Sequence, residues 1–160
     1  MIFTSYYAQM RNFPSNIYPV SISLGIPKWY KGAIYQKLAP TKEILSIWKA
    51  NHENNESYWE KWYDEQYKQS VLSYHLQHDV VHELEKVLPD SVKNILNSSG
   101  VSIWKNPDIH IALLCYEKSE DFCHRKLVAE WFEEAGIPCK ELTKEDLEKM
   151  KEEIEFYAER

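Results

Sequence analysis

Cys115, Glu117, Cys123, His124 and Arg125 crowd into one short stretch of the chain. They are the residue types from which a reactive site is built. A thiol can attack an electrophile, a carboxylate or imidazole can move a proton near neutral pH, and a guanidinium forks onto carboxylate or phosphate. The surrounding sequence, DIHIALLCYEKSEDFCHRKLVAEWFEEAG from Asp108 to Gly136, gives them a common frame. Ile109 to Cys115 is a short apolar run of the kind a buried strand makes, and the residues after the loop repeat apolar positions at helical spacing up to Gly136. Cys115 is therefore expected near a strand end, with Cys123, His124 and Arg125 in the first turn of the following helix. A helix start offers unpaired N–H groups and partial positive charge, so it binds anions and favours a thiolate. Here Arg125 and Cys115 would hold a phosphate- or carboxylate-bearing small molecule, and Cys123, His124 and Glu117 would carry any chemistry. The competing reading is structural. Cys123, Leu127 and Trp131 recur every fourth residue, which puts the thiol on an apolar face, and Glu117 in a polar loop is equally a solvated carboxylate.

Arg125 poses an electrostatic problem of its own. A cation in the first helical turn sits against the positive helix end, at a cost of about 0.3–1 kcal/mol, so something should compensate it. Glu117, Glu120 and Asp121 are the nearby carboxylates, and an anionic ligand is the functional alternative. On that reading Arg125→Ala leaves the fold nearly as stable.

Two further groups of residues are expected at the same place. Ser5, Tyr6, Tyr7 and Arg11 lie at and after the end of a first strand, and Trp29 and Tyr30 lie in GIPKWYKG, a segment with too much Pro and Gly for a regular element. In a parallel sheet, strand ends converge on one edge and build a pocket there. The early tyrosines read equally well as packing residues. His75, His78 and His82 recur at helical spacing, but the outer two stand roughly 10 Å apart by helix rise and a third ligand would have to come from elsewhere. No metal is expected there, the face being read as polar or interfacial, and the paired CxxC of a zinc ribbon is absent.

The elements that must position these residues follow from the pattern. Ile2 to Tyr7 and Tyr18 to Leu24 alternate as strands, with Met10 to Pro19 as loop between them. Helices are expected from Thr41, from Ser57 to Leu72 with an aromatic face of Tyr58, Trp59, Trp62, Tyr63 and Tyr67, from His75 to Leu88, and from Asp90 to near Ser98. Then come a strand over Ile109 to Tyr116, a helix over Phe122 to Ala135, a short strand over Pro138 to Leu142 and a last helix from Thr143. Thr143 and Asp146 have capping-box spacing. The ordering is that of an α/β domain spanning residues 1–160, with an open, mostly parallel sheet, helices on its faces and a helical insertion in the middle.

With 160 residues, 44% of them hydrophobic and only four glycines, the chain can bury a sizeable core and is not disordered. A net charge of −6 argues against wrapping a nucleic-acid backbone, which needs displaced counterions. The first residues do not resemble a signal peptide, and no apolar run reaches the ~20 residues of a membrane helix. A cytoplasmic protein with no membrane partner is expected. Three cysteines without dense spacing fit free thiols in a reducing compartment.

Several segments together resemble the family of bacterial, archaeal and viral proteins catalogued as domain of unknown function 488. They are TSYYAQMRNFP, SISLGIPKWYKG, the LAP at Leu38 to Pro40 and, most specifically, LLCYEK followed by CHR. The resemblance implies that Cys115, Glu117, Cys123, His124 and Arg125, the early Tyr and Arg positions and the Trp29-Tyr30 loop belong to one family pattern. It implies no activity and no cofactor. The residues themselves suggest an enzyme acting on a nucleotide, nucleoside or similar small anionic molecule. A non-catalytic protein that binds or sequesters such a ligand is the alternative, and a nucleic-acid-associated module is a more distant one.

Overall fold

A computed structural model of the chain describes residues 1–117 and 122–159. Five strands run β1 (Ile2–Tyr6), β2 (Ile17–Ser21), β3 (Ala33–Ile34), β4 (His110–Cys115) and β5 (Cys139–Glu141). They form one open sheet in the order β3-β2-β4-β1-β5, and every pairing is parallel. The helices are α1 (Lys42–Asn51), α2 (Glu56–Ser70), α3 (Gln77–Lys86), α4 (Asp90–Ser99), α5 (His124–Glu134) and α6 (Lys144–Ala158). The expected α/β architecture, with helices α1 to α4 inserted between β3 and β4, is the one observed.

β4 occupies the centre, and all six of its residues are buried. A strand covered on both faces by helices needs no polar alternation, which is why the sequence shows a continuous apolar run. Side chains still alternate in direction. Ile111 and Leu113 join Ile2, Val20 and Ile22 in the core beneath the helical block and α5. Ala112 and Leu114 face the other way and pack with Phe3, Tyr7, Tyr30 and Leu147 of α6. Cys115 follows Leu113 in this alternation, so its thiol emerges on the face of the helical block.

Local signals place most helix ends. The Thr41 side chain accepts from the Ile44 N–H and starts α1, and Thr143 and Asp146 close the expected capping box on α6. Gly136 ends α5 at φ 75°, a conformation that costs other residues their Cβ clearance.

The differences from sequence expectation have local causes. β2 starts at Ile17, one residue before the expected strand, and carries Pro19, where β3 pairs only with Val20 and Ser21 and so does not call on a Pro19 donor. β3, at two residues, is too short to leave a periodic signal. Tyr7, expected as the last strand residue, instead begins a 3-10 turn that runs to Asn12, into the expected loop. His75 caps the preceding turn and stands outside α3, so the three histidines do not share one helix.

No helix among the described residues is long and apolar enough to cross a membrane. Since Leu113 is fully buried at the sheet centre, Leu113→Ala should lower the unfolding free energy by about 2–5 kcal/mol. Urea denaturation checks this, and a loss below 1 kcal/mol would mean that the centre of the sheet is not the close-packed core described.

Candidate functional site

β1, β2 and β4 all finish at one edge of the sheet, where Tyr6 lies in register with Cys115 and Ser21 with Leu114. At this edge, on the face of the helical block, a pocket of about 600 Å³ opens. Its floor is Cys115, Glu117, Cys123 and His124, and its walls are Leu45, Trp48, Lys49 and His52 from α1 and the turn after it, with Glu56, Glu60 and Tyr63 from α2. Trp48, Tyr63 and Phe122 form a continuous aromatic surface, with ring centroids 4.9 to 5.4 Å apart. The aromatic stripe of α2 thus divides. Tyr67 is fully buried, its hydroxyl donating to the Leu38 carbonyl and its ring against His124, whereas Tyr63 reaches the pocket.

Cys123 is the N-cap of α5 in extended conformation, and no side-chain hydrogen bond caps the helix. The positive end of α5 is therefore directed at the pocket floor. His124 is buried, and its Nε2 lies 2.8 Å from the Ile22 carbonyl. A carbonyl only accepts, so Nε2 carries the proton and Nδ1 presents its lone pair, 3.6 Å from Cys123 Sγ. Burial pushes the imidazole pKa down to about 4, against the pull of the Ile22 hydrogen bond and with help from the Arg125 charge. The ring is neutral at pH 7.

The structure joins Cys115 and Cys123 as a disulfide, with their Cα atoms 7.6 Å apart. The expectation of three free thiols holds for Cys139 alone. Cys139 is buried elsewhere, under α5, and burial, followed by the charges of Glu133 and Glu141, pushes its pKa up to about 12.

Arg125 is brought to the same edge, but not to the pocket. Its side chain is fully buried. Nε and Nη2 each donate to one oxygen of Glu141 at 2.9 Å, while Nη1 donates to the Glu117 carbonyl at 2.6 Å and lies 2.9 Å from Cys115 Sγ. The expected compensation of its charge exists, and its source is Glu141 of β5. Glu117 supplies a backbone carbonyl instead of its carboxylate, and Glu120 and Asp121 lie outside the described residues. Thr4 Oγ1 donates to the same Glu141 at 2.6 Å, and the guanidinium lies over the Tyr6 ring at 5.8 Å. A ligand anion would have to displace Glu141 to reach this fork.

The other expected ligand contacts separate. Tyr7 follows Tyr6 in sequence yet packs on the opposite face of the sheet. Its hydroxyl is 2.6 Å from Ser21 Oγ, and its ring meets those of Trp29, Tyr30 and Tyr116. Tyr30 is buried with its hydroxyl on the Ala33 carbonyl, and Trp29 is exposed. Gly32 beside them admits no Cβ, which would meet the Tyr30 ring at 2.7 Å. Arg11 is exposed in the 3-10 turn and does not line the pocket. Of the GIPKWYKG segment only Gly25 does. Lys49, His52 and Glu60, which do line it, carry no sequence signal beyond their place on solvent-facing helix positions. No family model, curated protein or solved structure matches this chain.

Two outcomes follow from this geometry. Arg125→Ala removes the cation facing a largely buried Glu141 and should destabilise the fold by about 3–5 kcal/mol, contrary to the sequence expectation. Arg125→Lys should fail to restore the loss, since an ammonium cannot make the two-pronged contact, and an equilibrium urea titration reads both. In the reduced, folded protein at neutral pH, iodoacetamide should label the two pocket thiols well before Cys139. Equal, slow labelling of all three by mass spectrometry would mean that the pocket thiols are as inert as a core cysteine.

Proposed function

We propose that the protein is an enzyme acting on a nucleotide, nucleoside or similar flat, anionic small molecule. The observation that carries this reading is a single pocket joining an aromatic wall of Trp48, Tyr63 and Phe122 to a floor of Cys115, Cys123 and His124. Stacking on such rings is worth roughly 1–3 kcal/mol per base. The α5 N-terminus and Lys49 take the anionic group in place of Arg125, whose donors are committed to Glu141. Glu117, exposed at the pocket rim, exchanges protons with the substrate, and Cys123 and His124 stand at the reacting end. Membership of the family named above, on LLCYEK and CHR, and a cytoplasmic setting are parts of the same proposal.

A panel of nucleosides, nucleotides and their analogues tests it, read by thermal shift and then by mass spectrometry of the incubated mixture. We expect a member that raises the melting temperature and is converted, Trp48→Ala weakening its binding by about 1–3 kcal/mol and Glu117→Gln slowing conversion with binding retained. A ligand held but returned unchanged would make the protein a binder. A panel with no effect on melting and no product would remove the substrate class.

A further inference from the structure

We infer that Cys115, Cys123 and His124 form a site for one zinc-class divalent metal ion whose fourth coordination position opens into the pocket. Sγ of both cysteines and a ring nitrogen of the histidine lie within 4.8 Å of one another, with Nδ1 3.6 Å from Cys123 Sγ, and all three residues are buried. Among the described residues they are the group of ligating side chains that converges in this way. His75, His78 and His82, the histidines that stand out in the sequence, do not.

The orientation of His124 is that of a ligand. Its Nε2–H is spent on the Ile22 carbonyl at 2.8 Å, and Nδ1 is left aimed at Cys123 Sγ. Metal-bound imidazoles are held in this way, by a backbone carbonyl or carboxylate on the far nitrogen. The backbone spacing agrees. The Cα atoms of Cys115 and Cys123 are 7.6 Å apart, whereas disulfides usually span about 4.4–6.8 Å. Two thiolates on a tetrahedral ion, each about 2.3 Å from it, hold their sulfurs about 3.8 Å apart, which a wider backbone accommodates.

The charges close as well. Two thiolates and a neutral imidazole offset a divalent ion. The Cys115 thiolate receives the Arg125 Nη1 hydrogen bond, and the guanidinium charge is answered by Glu141 rather than imposed on the metal. The positive end of α5 favours the Cys123 thiolate. Thiolate and imidazole together select zinc-like ions over magnesium or calcium. Since all three donors line the pocket, the open position faces the space a substrate would fill, the arrangement of a catalytic rather than a closed structural site. There a metal-bound water would have its proton withdrawn, with Glu117 two residues beyond Cys115 as the carboxylate at the rim. Binding from the reduced state moves no electrons. Each ion displaces two thiol protons to solvent, and the bridged form must first be reduced by a thiol or phosphine.

The test uses the full chain, reduced with a phosphine, freed of metal by chelation and titrated with Co²⁺ alone. The site predicts one equivalent bound with a thiolate-to-cobalt charge-transfer band and tetrahedral visible bands. The band should be lost in the Cys115→Ser/Cys123→Ser double variant and kept in Cys139→Ser. Should the double variant fail to fold, the wild type gives an independent reading. Zn²⁺ must then protect Cys115 and Cys123 from iodoacetamide while leaving the slow rate of Cys139 unchanged. Absence of a thiolate band at stoichiometric cobalt, its persistence in a folded double variant, or labelling indifferent to zinc would each overturn the site. Because the metal is the only probe, the outcome is separate from that of the substrate panel.

Discussion

The Arg125 guanidinium, sealed from solvent beneath α5, is the constraint on which the pocket edge of the sheet depends. One side chain ties four elements together. It leaves α5, takes both oxygens of Glu141 on β5, hydrogen-bonds at the end of β4 through Cys115 Sγ and the Glu117 carbonyl, and covers Tyr6 at the end of β1. A buried pair of this kind is not in itself strong evidence of stability, because desolvating both charges offsets most of their attraction. Its effect is positional. Directional, charge-assisted bonds fix where the strand ends stand relative to the helix start, and the pocket floor is made of the residues between those fixed points.

That arrangement also explains a division of labour that residue types alone obscure. Arginine beside cysteine and histidine suggests an anion clamp, but a guanidinium with Glu141 across it presents nothing to a ligand. The groups that reach the pocket are others. They include a neutral imidazole with its lone pair inward, two sulfurs, the aromatic surface of Trp48, Tyr63 and Phe122, and the charged side chains of Lys49, Glu56, Glu60 and Glu117. The positive helix end remains directed at them with no side-chain cap to absorb it.

The sequence made the strand and the helix around Cys115 to Arg125 legible because each is written locally, in an apolar run and in a helical repeat closed by a glycine. The parallel sheet edge followed from element order. Glu141 was not legible as the partner of Arg125, since the short strand over Pro138 to Leu142 is visible in the sequence but its place beside β1 is not. Tyr6 and Tyr7 are set apart by strand geometry. Neighbours along a strand point to opposite faces, so the two could not both serve one pocket. The walls were half visible. The aromatic repeat on α2 signals burial of one face, yet whether Tyr63 abuts a neighbour or a void is decided by the tilt of α2 against α5, which no local spacing encodes.

Most of the pocket lining comes from two separate runs of sequence, with Ser23, Leu24, Gly25 and Pro40 completing it. Residues 115–117 and 122–124 contribute the floor together with the Phe122 ring, and residues 45–63, from the helical insertion, contribute the larger part of the walls. The floor is locked into the sheet by Arg125, while the walls meet it through packed rings, Trp48 and Tyr63 on Phe122. On the function proposed above, changes in α1 and α2 would alter which molecules are admitted while leaving the floor in place. On that proposal, selectivity and reactivity would drift independently along such a chain, and exchanging one short helical cassette would be the economical route from one ligand to another.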